Sequence, residues 1–176
     1  MSRFALHTAR ILASVLVSVP LTASAQTGSF GSGTAVGVTI QAIDTDEGIL
    51  ELPAIALHVT AIRRSGTGFD FSLTTIPNYV ALGAVWIAPD LGLARVIRVG
   101  GGALMIKGGP SAVLIAGPYG GTAVWGGHVG LGAFVRLGNR FGVRAEIVPH
   151  LYAREGGTSQ LTMLGFGFTS LPARSR

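Results

Sequence analysis

The chain has 176 residues, with 13 lysines and arginines against 8 acidic residues, no cysteine, 27 glycines and only 12% charged residues. Lack of cysteine excludes disulfide stapling and lipid attachment through a terminal cysteine, and no basic stripe with interleaved aromatics supports nucleic-acid binding. A water-soluble domain carries about twice this share of charge, so the composition points to a chain whose surface is not all in water.

Residues 1–25 read as an export address. Arg3 and Arg10 precede the apolar run Ile11–Val19, and Ala23-Ser24-Ala25 places small residues two apart before Gln26. That is the layout of a secretory signal peptide, here cleaved after Ala25. The apolar run is shorter than the roughly 20 residues that span a bilayer as a helix. Arg3 and Arg10 leave with the leader, so 11 basic and 8 acidic residues remain in a mature chain of 151. This is enough for one domain or one small barrel, working outside the cytoplasm. Gln26–Gly33 is a Gly/Ser spacer.

Period-two alternation begins at Thr34. Val36, Val38 and Ile40 form an apolar face, against Gly37, Thr39 and Gln41. In the third run Phe69, Phe71 and Leu73 alternate with Asp70, Ser72 and Thr74. Such runs are strands with different environments on their two faces. Arg95 breaks the pattern by sharing a face with Leu93 and Ile97, where mid-depth exposure to lipid would cost about 2–4 kcal/mol. Pro53 interrupts its strand and is tolerable near a rim.

The clearest stretch is 127–152. Val129, Leu131, Ala133, Val135 and Leu137 alternate with Gly130, Gly132, Phe134 and Arg136; beyond Gly138-Asn139-Arg140, Phe141, Val143, Ala145 and Ile147 alternate with Gly142, Arg144, Glu146 and His150. The two apolar faces coincide only if the turn has three residues and Leu137 pairs with Phe141. The same register sets Glu146 opposite Gly132, Arg144 opposite Phe134 and His128 opposite His150.

Eight strands are predicted, at 34–43, 49–62, 67–76, 91–99, 101–107, 124–137, 141–152 and 160–168. Tight turns at 63–66, 100–102 and 138–140 alternate with longer connections at 77–90, 108–123 and 153–159; the acidic Asp44–Gly48 is a short exception. Tyr79–Ile87 is apolar for a loop, so it is either a further strand, giving ten, or a segment folded on the rim. Even strand number, alternating turn lengths, low charge and absence of a long apolar helix describe an antiparallel up-and-down transmembrane β-barrel over 34–168, followed by the tail 169–176. Tyr79, Trp86, Tyr119, Trp125 and Tyr152 fall near strand ends, as an interfacial aromatic girdle would.

His128–Gly138, Phe141–Ile147 and the closing Leu164-Gly-Phe-Gly-Phe168 resemble the small outer-membrane β-barrel family, the OmpA/OmpX-like porin-type domains of Gram-negative bacteria, over nearly all of 30–168. The resemblance implies an outer-membrane location among lipid and lipopolysaccharide, and a last strand whose spaced aromatics, matched by Phe166 and Phe168, are read by the barrel-assembly machinery. Barrels of this type usually stop at the aromatic, whereas this chain adds Thr169–Arg176.

The candidate lumen cluster comprises Arg136, Arg144, Glu146, His128 and His150. The three charged residues read as ion pairs plugging a narrow barrel, with a selectivity constriction as the alternative. The histidine pair reads as polar lining of a wet rim, with metal binding or a pH-sensitive pair as the sharper reading. Lipid-directed catalysis needs a nucleophile beside a base, and no serine lies two to four residues from a mature-chain histidine. Gly100–Gly102 and Gly120–Gly121 lack the lysine and hydroxyl of a phosphate loop. The expectation is a non-catalytic barrel without cofactor, structural or presenting its long loops to an extracellular partner. Alternatives are a narrow pore for small solutes or a soluble, secreted lipocalin-like carrier of an apolar ligand.

Overall fold

Strands that are apolar on one face and polar on the other need two solvents, and closing the sheet on itself supplies them. The computed structural model describes residues 33–45, 48–99, 102–138 and 140–170. The predicted leader 1–25, the spacer up to residue 32 and residues 171–176 of the tail lie outside the described residues. Eight strands follow in order: β1 (Gly33–Thr45), β2 (Gly48–Ile62), β3 (Thr67–Thr75), β4 (Val85–Val99), β5 (Gly102–Gly117), β6 (Gly120–Arg136), β7 (Phe141–Arg154) and β8 (Gly157–Ser170). Each pairs antiparallel with the next, and β1 pairs with β8 to close the barrel. Among the described residues no sheet edge remains unpaired. The near end, where β1 starts and β8 finishes, also carries the turns after β2, β4 and β6.

The alternation predicts which way side chains face. Val36, Val38, Ile40, Phe69, Phe71 and Leu73 point outward and are exposed, whereas Thr39, Gln41, Asp70, Ser72 and Thr74 are buried in the lumen. The β6–β7 hairpin has the expected register: His128 pairs with His150, Gly132 with Glu146 and Phe134 with Arg144. Leu137 and Gly138 both donate backbone N–H groups to the Phe141 carbonyl, closing the three-residue turn. At the turn after β2, Gly66 has φ +82° and a Cβ there would sit 2.6 Å from the Val96 carbonyl oxygen. Only glycine fits both demands. Arg95 does face outward, but it pairs with Thr67, the first residue of β3, so it lies toward the near rim. From there its long side chain can reach the interface.

The far-end connections differ from expectation. β4, β5 and β6 extend through segments read as the loops 77–90 and 108–123, and β7 and β8 take most of 153–159. Two-residue links join β1 to β2, β5 to β6 and β7 to β8. The misleading signals were Pro89, Gly108-Gly109-Pro110 and Gly120-Gly121, which normally punctuate strands. Here Gly108 and Gly109 lie where two backbones approach closely: a Cβ at Gly109 would lie 2.2 Å from the Leu91 carbonyl oxygen, and one at Gly92 would lie 2.8 Å from the Gly108 carbonyl oxygen. Prolines without N–H groups sit in the same stretch, where the β4–β5 ladder is interrupted. Beyond Thr75 the chain makes one helical turn, α1 (Asn78–Ala81), and Tyr79 packs on the apolar residues beneath it. The segment is therefore folded on the rim, and the barrel has eight strands.

Two apolar clusters cap the lumen. Toward the far end lie Ile43, Ile76, Trp86, Val113, Tyr152, Leu161 and Met163; toward the near end lie Ile62, Ala94, Val96, Ala103, Met105 and Phe134. This corrects part of the expected girdle, because Trp86 and Tyr152 are buried inward while Tyr119 and Trp125 are exposed. Both inward residues share the parity of the lumen-facing set on their strands. The polar lumen is thus enclosed between apolar layers.

Candidate functional site

Three strands place four charges at the middle of the lumen. Arg144 and Glu146 stand two apart on β7 and point the same way, Asp70 comes from β3 and Lys107 from β5. Arg144 Nη2 lies 2.8 Å from Glu146 Oε2 and 3.4 Å from Asp70 Oδ1. Lys107 Nζ bridges the same two acids, 2.8 Å from Asp70 Oδ2 and 3.2 Å from Glu146 Oε2. Two cations therefore alternate with two carboxylates across the barrel. All four are at most 2% exposed, so their charges are compensated by one another rather than by solvent.

Neutral groups complete the network. Thr60 donates its hydroxyl to Asp70 Oδ1, and Gln41 donates to Glu146 while accepting from Thr74. His58 Nε2 lies 2.8 Å from Thr39 Oγ1 and 3.1 Å from Glu146 Oε1. Arg144 also lies over the Phe134 ring, 5.2 Å from its centroid, a cation–π contact. Glycines leave the space these side chains fill. A Cβ at Gly130 would meet Lys107 Cγ and Cε at 3.0 Å, and one at Gly165 would meet Glu146 Cγ at 3.1 Å. Gly132, paired with Glu146 across the hairpin, faces Met105.

A second group lies toward the far end. His128 and His150, paired across β6–β7, have ring centroids 5.6 Å apart. Asp90 of β4 joins them, with both carboxylate oxygens 3.1 Å from His150 Nε2 and Oδ1 3.9 Å from His128 Nδ1. Ser72 donates to Asp90 Oδ2 at 3.0 Å. The Tyr152 ring stacks on His150, 5.7 Å between centroids and 6° from parallel. All three site residues are buried, so the histidines do not line a wet rim.

The predicted cluster accordingly splits in three. Arg144 and Glu146 join the central network and His128 and His150 join Asp90. Arg136 lies at the near end, where its Nη1 donates to the Gly138 carbonyl at 3.4 Å. Sequence reading missed Asp70, Asp90 and Lys107 as partners, and left His58 without a role. The inward parity of Asp70 was visible. Its meeting with Arg144 was not, because that contact crosses the barrel rather than a single hairpin.

The fold and its charged, glycine-accommodated lumen define a class: the small, closed, eight-stranded antiparallel up-and-down barrels. No family model and no curated protein matches the sequence. Solved structures do. The chain is similar to the N-terminal β-barrel domain of OprF from Pseudomonas aeruginosa, at TM-score 0.56 and 12% identity over 79% of this chain and 99% of that one. Neisserial surface protein A gives TM-score 0.57 and 10% identity, covering 78% and 94%. Outer membrane protein OprG from Pseudomonas aeruginosa gives 0.54 and 8%, covering 80% and 95%. At such identities the likeness is one of fold.

Proposed function

We propose that the protein is a bacterial outer-membrane barrel with a structural or surface-interaction role, non-catalytic, and with a lumen closed to solute flow. The observation that carries the reading is the central ion network, four buried charges joined across the barrel between two apolar layers. A conducting lumen needs a continuous wet path, and paired charged side chains across the middle of the lumen support a closed one.

Membrane insertion rests on the outer wall. Among the described residues, the outward face between the strand ends is apolar or small apart from Arg95, and Asp44 with a few hydroxyl and amide groups near the rims. Lipid supplies the solvent that such a wall requires. Trp125 and Tyr119 lie exposed at the far end, while Arg63, Arg64, Arg95, Arg98 and Arg140 collect toward the near end. Aromatics and arginines at those depths suit interfaces and lipid phosphates. The near end would face the periplasm after export through residues 1–25. Phe166 and Phe168, outward near the end of β8, would be what the assembly machinery reads.

Two-residue links leave little far-end surface, so the extracellular contact surface is chiefly 76–84, where Val80 and Leu82 are exposed. Catalysis has no support in the lumen histidines. A serine- or threonine-type relay engages the two ring nitrogens on opposite sides, whereas Thr39 and Glu146 both approach Nε2 of the sealed His58. A soluble carrier would need an apolar interior and a polar wall, whereas the middle of this lumen holds paired charges and the outer wall is largely apolar. Planar-bilayer recording of the refolded protein tests the closed lumen. The expected result is no stable channel activity; a reproducible conductance that changes selectivity in Glu146→Gln supports a filter instead.

A further inference from the structure

We propose that Asp90, His128 and His150 form a buried site for one borderline divalent transition-metal ion, Zn²⁺ or a close analogue. The inference goes beyond the closed-barrel reading, which requires no metal. It starts from charge. Among the described residues the two central acids, Asp70 and Glu146, share Lys107 and Arg144, but Asp90 has only imidazoles and the Ser72 hydroxyl as partners. A buried carboxylate with no positive counterpart is costly. Either a proton on an imidazole or a metal ion must supply the charge.

Hydrogen bonding distinguishes the two ring nitrogens of His150. Its Nδ1 lies 2.9 Å from the Val148 carbonyl oxygen, which can only accept, so Nδ1 carries the proton. In the neutral ring, Nε2 then presents a lone pair toward two carboxylate oxygens at 3.1 Å. A cation between them turns repulsion into ligation. Backbone-anchored Nδ1–H with a free Nε2 is the usual arrangement of a metal-bound histidine. Ser72 orients the carboxylate in the same supporting way. Independently, His128 is 4% exposed and its Nδ1, on the Asp90 side, has no hydrogen-bond partner. Its other nitrogen points toward Gly92, where a Cβ would lie 3.1 Å away.

The spacing suits the ion. Metal–ligand bonds of about 2.0–2.2 Å in tetrahedral geometry put ligand atoms about 3.3–3.5 Å apart. One ligand atom from each residue lies within 4.8 Å of the others, and the Asp90 contacts at 3.1 and 3.9 Å bracket the ideal value. Two imidazoles and one carboxylate favour Zn²⁺, Co²⁺ or Fe²⁺ over Mg²⁺ or Ca²⁺, which prefer oxygen. A far-end cavity of about 820 Å³ is lined by Tyr152, the residue stacked on His150.

The test uses the full folded chain in detergent, stripped with chelator and then given Co²⁺, either during refolding or afterwards. The expected result is one equivalent bound with intense visible bands of low-symmetry Co²⁺, displaced by Zn²⁺. His150→Ala and His128→Gln should weaken Zn²⁺ binding by at least about 100-fold, since loss even of an outer-shell partner costs about 10–100-fold. His58→Gln, a lumen histidine outside the triad, should bind as the parent does. Each variant is checked for its folded gel band, and Asp90→Asn serves where one histidine variant fails to fold. Absence of cobalt bands in the folded parent under both loading regimes, or binding that survives loss of these ligands, overturns the proposal and leaves an imidazolium–carboxylate pair.

Discussion

Replacing Glu146 by alanine perturbs the lumen most sharply. The wild-type centre sets two cations against two carboxylates, with Glu146 2.8 Å from Arg144 and 3.2 Å from Lys107. Removing it leaves Arg144 and Lys107 sharing Asp70, between apolar layers that limit rehydration. Breaking one partner out of a buried pair costs about 3–5 kcal/mol, consistent with a unit-charge attraction of about 4 kcal/mol at 4 Å and an effective dielectric of about 20. Urea unfolding in lipid vesicles, read as the fraction of folded gel band, measures the change. Glu146→Gln separates charge from size and should retain more than half of the loss. The double variant Arg144→Met with Glu146→Leu keeps the Lys107–Asp70 pair and removes opposite charges together. It should cost less than Glu146→Ala alone, because replacing a whole buried pair by apolar side chains is often close to neutral. A loss below about 0.5 kcal/mol in Glu146→Ala, the size of an ordinary surface substitution, would refute the reasoning.

Three further outcomes follow from particular contacts. Leu131→Arg, outward near mid-wall opposite Ile147, should destabilise the inserted barrel by about 2–4 kcal/mol, whereas Arg95→Leu near the rim should change stability little; the same unfolding assay ranks them. Gly109→Ala drives a Cβ against the Leu91 carbonyl at 2.2 Å and should cost at least about 1–3 kcal/mol, seen as a lower urea midpoint. In single-tryptophan variants, brominated acyl chains should quench the outward Trp125 strongly and the lumen-buried Trp86 weakly. Equal quenching would place one of the two on the wrong side of the wall.

The barrel was legible because parity is a strong constraint. A strand repeats every two residues, so a single slip would turn Asp70, Arg144 and Glu146 onto the outer wall. The hairpin register from Val129 to Ile147 follows from that alone. Strand ends were less legible, since Pro89, Gly109 and Pro110 look like loop residues, yet all three lie within strands, Gly109 at a backbone close approach and the prolines where the β4–β5 ladder is interrupted. The same parity would have turned Trp86 and Tyr152 inward. Partners across the lumen were hidden. Asp90 meets His150 sixty positions away through curvature, with two strands between them, and no local pattern encodes that contact.

Electrophoretic migration of the refolded protein in SDS, with and without boiling, tests the central claim most directly. A lipid-walled barrel predicts folding only in detergent or lipid, survival in cold SDS and a shift in mobility on boiling, because the closed hydrogen-bonded sheet has no edge at which to open. A chain that folds monodisperse in plain buffer and migrates identically before and after boiling would contradict the membrane barrel.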